Sequence, residues 1–127
     1  KKLVVFMKER LKDEVKDVRL SGRLMDSPCC LVSEEGDPDP NMERLLKAMG
    51  QDLPAVKRIL EINPVHPLIE AMNKSVESDV KGAALEEYVG LLYDQALLLE
   101  GSKPRDPVVL TKTVSRLIVE DLQHSVK

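Results

Sequence analysis

Two cysteines and two histidines have the widest chemical repertoire in this 127-residue chain, and their spacing limits how much of it is available. Cys29 and Cys30 are adjacent, so in a strand they point to opposite faces and a disulfide between them would close a strained ring. There is no Cys-x-x-Cys, and a site built from Cys29, Cys30, His66 and His124 lacks the paired spacings of zinc ligands. The cysteines read as small buried or half-buried thiols, and no metal site is expected. His66 and Glu70 are four residues apart, which on a helix places imidazole and carboxylate on one face, where they could move a proton. A small hydrolase or transferase using His66 and Glu70 is the enzymatic alternative. It has no nucleophile motif or phosphate loop to work with, since the six glycines are isolated and neither Gly-x-Ser-x-Gly nor a suitably partnered Ser-x-x-Lys occurs. The plainer reading is turn chemistry, with Asn63-Pro64-Val65-His66-Pro67 as a rigid helix entry. No catalytic, cofactor-binding or metal residues are therefore assigned, and the segment is not expected to be an enzyme.

The elements that would carry these residues follow from hydrophobic period. Leu3, Phe6, Met7 and Leu11 recur at three and four residues within 1–14, predicting an amphipathic helix. The period then shortens: Val18 and Leu20 alternate with charges in 15–21, and 29–33 is a compact second strand. Antiparallel pairing of these neighbours is the default expectation. Gly36, Pro38 and Pro40 make 34–41 a solvated, mobile loop, after which a helix runs from Met42 to a stop at Gly50. Residues 55–62 sit between Pro54 and Asn63-Pro64 and read as a third strand. A short helix over 68–72 fades towards 73–78, and two longer helices cover about 79–100 and 106–123, separated by Gly101-Ser102-Lys103-Pro104. The expected fold is α+β, a small three-stranded sheet with flanking helices and a C-terminal helical hairpin, in a single domain spanning 1–127.

Two apolar surfaces stand out. Met42, Leu45, Leu46 and Met49 form a stripe of the kind that usually faces a core, yet it hangs from an acidic loop and begins and ends in Met, which also suits an adaptable binding surface. Between Leu91 and Leu99 hardly any polar arc remains, so that helix must be buried on more than one side, and Leu110, Val114, Leu117 and Ile118 lie in a second broad stripe. Either one chain folds this hairpin onto its own sheet, or two hairpins pair across a two-fold axis as a four-helix bundle; the width of the arc favours the dimer.

Composition narrows the partners. Lys and Arg number 19 against 22 Asp and Glu, for a formal charge of −3, and the basic residues are scattered. With Phe6, Tyr88 and Tyr93 as the aromatic residues, nucleic acid is not an expected partner. No run approaches the roughly 18 apolar residues of a membrane helix and no signal-peptide core is complete, so no membrane association and a cytoplasmic location are expected. The start inside a helix, without Met, suggests a piece of something longer.

Several segments are familiar. Val18-Arg19-Leu20-Ser21-Gly22-Arg23-Leu24-Met25-Asp26-Ser27-Pro28-Cys29-Cys30-Leu31-Val32 resembles the strand-turn-strand pattern V-R-x-S-x-R-L-x-D-S-P-A-x-L-V of the ninety-kilodalton heat-shock chaperones, with Cys29 in place of Ala. Ala48-Met49-Gly50-Gln51, Leu60-Glu61-Ile62-Asn63-Pro64-Val65-His66-Pro67-Leu68 and Leu91-Leu92-Tyr93-Asp94-Gln95-Ala96-Leu97-Leu98 are similar, in order, to further segments of that family. Together they span nearly the whole chain and resemble the C-terminal dimerization domain, most closely of the bacterial members. The resemblance implies a homodimerization module of an ATP-dependent, stress-responsive protein-folding chaperone, with ATP and magnesium held in a domain outside this segment. It implies a dimer interface on Tyr88, Leu91, Leu92, Leu99, Leu110, Val114, Leu117 and Ile118, and binding of unfolded clients through Met42, Leu45, Leu46 and Met49. The C-terminal His124-Ser125-Val126-Lys127 departs from the Met-Glu-Glu-Val-Asp ending of eukaryotic relatives, so no tetratricopeptide co-chaperone is expected.

Overall fold

A computed structural model describes residues 2–22, 26–33, 40–50, 57–77 and 83–125. The elements run α1 (Lys2–Arg10), β1 (Val15–Leu20), β2 (Cys29–Val32), α2 (Pro40–Ala48), β3 (Arg58–Ile62), α3 (Pro67–Glu77), α4 (Ala83–Leu99) and α5 (Pro107–Ser125). This is the expected α+β order with a three-stranded sheet. The loop expected over 34–41 lies mostly outside the described residues, and Pro40 and Asn41 open α2.

The strand pairing differs from expectation. β1 and β2 are not neighbours: β3 lies between them, parallel to β1 and antiparallel to β2. The reason lies in burial. Every residue of β3 is buried, whereas β1 alternates with charges and suits an edge, and a strand covered on both faces belongs in the middle. Between Val15 and Asp17 the register with β3 shifts, leaving Lys16 as an extra residue. That bulge lets Val15 and Val18, three residues apart, both enter the core. On the opposite flank Arg19 and its register partner Glu61 form an ion pair at 2.9 Å.

One core joins the layers. Leu3, Met7 and Leu11, Val18 and Cys29, Leu60 and Ile62, and the buried faces of α3 and α4 form a single apolar cluster. α3 extends to Glu77, past the expected fading point, because Ile69, Met72 and Val76 recur on its buried face and carry the helix onward. No helix among the described residues is long and apolar enough to cross a membrane.

Candidate interaction surfaces

The two long helices are joined by a turn held by hydrogen bonds at both ends. α4 ends with Gly101 at φ 87°, a left-handed conformation that favours glycine. The Ser102 N–H donates to the Leu97 carbonyl at 2.9 Å and the Gly101 N–H to that of Leu98 at 3.1 Å, closing the helix with a Schellman arrangement. α5 opens as cleanly. Asp106 accepts from the amides of Val108 at 3.1 Å and Val109 at 3.2 Å, and Pro107, which has no N–H, occupies the first turn. Between cap and helix, Arg105 returns to α4, its Nε 3.0 Å and its Nη2 3.1 Å from the two oxygens of Asp94. Arg116 ties the helices again, bridging Glu87 on α4 and Glu120 on its own helix.

Among the described residues the hairpin is covered on one side only. Leu85, Val89, Leu92, Tyr93 and Ala96 form the face of α4 that enters the core, while Tyr88 and Leu91 are half-buried and Leu99 is 62% exposed. Along α5, Thr113 is the buried residue among those described. Leu110 and Leu117 are half-buried, Val114, Ile118 and Leu122 are exposed, and with Leu91 and Leu98 they line an open apolar groove between the helices. Leu92, at 2% exposure, joins the core of its own chain and also lines a second cavity with Tyr88, Leu91 and Leu117.

The second surface is α2. Met42, Leu45 and Met49 are exposed, Met49 at 66%, and Leu46 is half-buried, so the stripe is not part of the core. Arg44 on the same helix donates to the Glu100 carbonyl at 3.4 Å, placing α2 beside the end of α4.

The residues with chemical potential are used structurally. Nδ1 of His66 accepts the Leu68 N–H at 3.1 Å, and the Asn63 side chain accepts the Val65 N–H at 3.2 Å, so the Asn-Pro-Val-His-Pro segment is a turn followed by a helix cap. His66 thus caps the start of α3. Cys29 and Cys30 form no disulfide, the first being buried and the second half-buried, and burial pushes the Cys29 thiol up to about 12. Among the described residues no three His, Cys, Asp or Glu side chains gather to hold a metal ion.

The sequence reading did not single out Asp94, Arg105 or Gly90. A signal was available: Asp94 is a carboxylate in the middle of an otherwise apolar stretch of α4, and such a group needs a partner.

Comparison with known proteins covers these elements along their whole length. The sequence model described as Hsp90 protein matches residues 1–127. Among curated proteins, the chain is 52% identical to the chaperone protein HtpG of Geobacter metallireducens and 50% identical to that of Geobacter sulfurreducens. It is 42% identical to the HtpG of Frankia casuarinae. Each match covers 94% of this chain and 18% of the relative, so the chain spans about a fifth of the length of these chaperones. With a family match over its whole length and this level of identity to several members, the chain belongs to the Hsp90 protein family.

Proposed function

We propose that this chain is the C-terminal homodimerization module of an Hsp90-type chaperone and that it contributes an apolar contact surface for unfolded clients. The supporting observation is α5, a 19-residue helix with Thr113 as its described buried residue and Val114, Ile118 and Leu122 open to solvent along the groove with α4. A contiguous apolar face of this kind on one chain marks an interaction site, and its burial is worth roughly 25 cal/mol per Å2. A second copy supplies the matching surface: two α4–α5 hairpins across a two-fold axis form a four-helix bundle in which each groove receives the other chain's helix. Tyr88, Leu91, Leu99, Leu110, Val114, Leu117 and Ile118 form the contact.

The α2 stripe of Met42, Leu45, Leu46 and Met49 is the client surface. Flexible, polarizable Met side chains conform to many apolar sequences, which suits a partner without fixed structure. ATP and magnesium belong to another part of the longer chaperone, and the cytoplasm is its place of action. Sedimentation equilibrium over a wide dilution series tests the central claim. A mass near twice 14.2 kDa that persists on dilution is expected; a folded monomer at every concentration overturns the proposal.

A further inference from the structure

The α4–α5 turn holds one group of contacts that lies off the apolar groove. Arg105 binds both carboxylate oxygens of Asp94, directs its own backbone N–H to the same carboxylate at 3.3 Å, and places Nη2 3.0 Å from the Gly90 carbonyl. The Asp94 side chain is only 8% exposed, so its charge needs this partner. The guanidinium also lies 5.5 Å from the centre of the Tyr93 ring. A Cβ at position 90 would stand 2.6 Å from Nη2, closer than real contacts allow, so an alanine there pushes the guanidinium head aside. Since Asp106 caps α5 and Pro107 opens it, the point where Arg105 is anchored decides where α5 starts and in which direction it leaves.

We infer that Asp94, Gly90 and Arg105 form a positioning clamp that sets the α4–α5 angle at which this chain associates with a second copy. The inference rests on the dimer reading above and adds what controls it. A contact made by two helices forms only when both present their faces together. A hairpin free to swing about the turn is competent for a fraction of the time, and the apparent dissociation constant rises in inverse proportion to that fraction. The tie between Arg116 and Glu87 is further along the helices and exposed, where solvent weakens it, so the clamp carries the constraint.

Gly90→Ala disturbs the clamp while leaving both of its charged groups in the chain. Alanine is the better helix former, so the substitution favours α4 while its Cβ displaces the Arg105 head. Dimer dissociation constants from sedimentation equilibrium are compared for wild type, Gly90→Ala, Arg105→Ala and the double variant, with urea unfolding of each in an Ile118→Glu monomer. The expected result is a dissociation constant raised tenfold or more by either substitution and no further increase in the double variant, with the monomer of each single variant losing stability because the buried Asp94 carboxylate loses its partner. Dissociation constants within twofold of wild type for both single variants overturn the clamp. A wild-type chain that is monomeric throughout overturns the dimer reading instead, and residual dipolar couplings then report the clamp alone. An α4–α5 angle unchanged by Arg105→Ala refutes it, and an altered or averaged angle upholds it.

Discussion

His66 accepts the Leu68 amide hydrogen through Nδ1 at 3.1 Å, which makes the imidazole the first cap of α3. His66→Ala leaves that amide without its partner, and loss of a cap of this kind costs about 1 kcal/mol. Urea unfolding of the two proteins measures the difference, while the mass in solution stays as in wild type. A loss of association without loss of stability contradicts the capping role.

Leu92 and Ile118 are both apolar and both on the C-terminal hairpin, yet they differ in what surrounds them. Leu92→Glu places an unpaired carboxylate in the core, at a cost of about 3–5 kcal/mol, enough to unfold a protein of ordinary stability. Ile118 is 54% exposed, and Ile118→Glu is expected to leave a folded monomer. Circular dichroism and sedimentation distinguish them: the first loses its cooperative melt, and the second keeps it and loses half its mass.

On α2, Met42→Ser together with Met49→Ser removes apolar area from an exposed stripe. Stability is expected to change by no more than about 0.5 kcal/mol, as for other exposed sites. Affinity for a reduced and alkylated, permanently unfolded protein is expected to fall severalfold in a fluorescence titration. Unchanged affinity removes α2 from the client surface.

Cys29 yields a pH dependence of definite sign. Its thiol titrates near the ordinary 9.0 when unfolded and is pushed up to about 12 by burial in the fold. The unfolded chain therefore releases this proton first, so stability attributable to Cys29 is complete below about pH 9 and falls as pH rises towards 12. Cys29→Ala flattens that alkaline decline in urea melts. At neutral pH, iodoacetamide is expected to leave Cys29 unmodified in the folded protein and to reach it after unfolding.

Local pattern in the sequence determined the helices, their order with the strands, the turn at 63–67 and the two apolar stripes, because each depends on periods of two to four residues and on proline and glycine placed nearby. The ordered motifs identified the family for the same reason, since they are contiguous in the chain. Tertiary structure alone decided that β3 separates β1 from β2, because pairing is settled by which strand can be buried on both faces once distant helices are in place. It also decided that Leu92 faces the chain's own core while Leu91 faces the groove. On a helix apolar over most of its circumference, periodicity says that several sides are covered but not by what. The clamp of Arg105 on Asp94 belongs to this second class, for it joins residues on two sides of a helix end and lays the guanidinium over Gly90. One-dimensional spacing carries no record of that approach, which arises only when the chain reverses direction at Gly101 and brings the start of α5 back along α4.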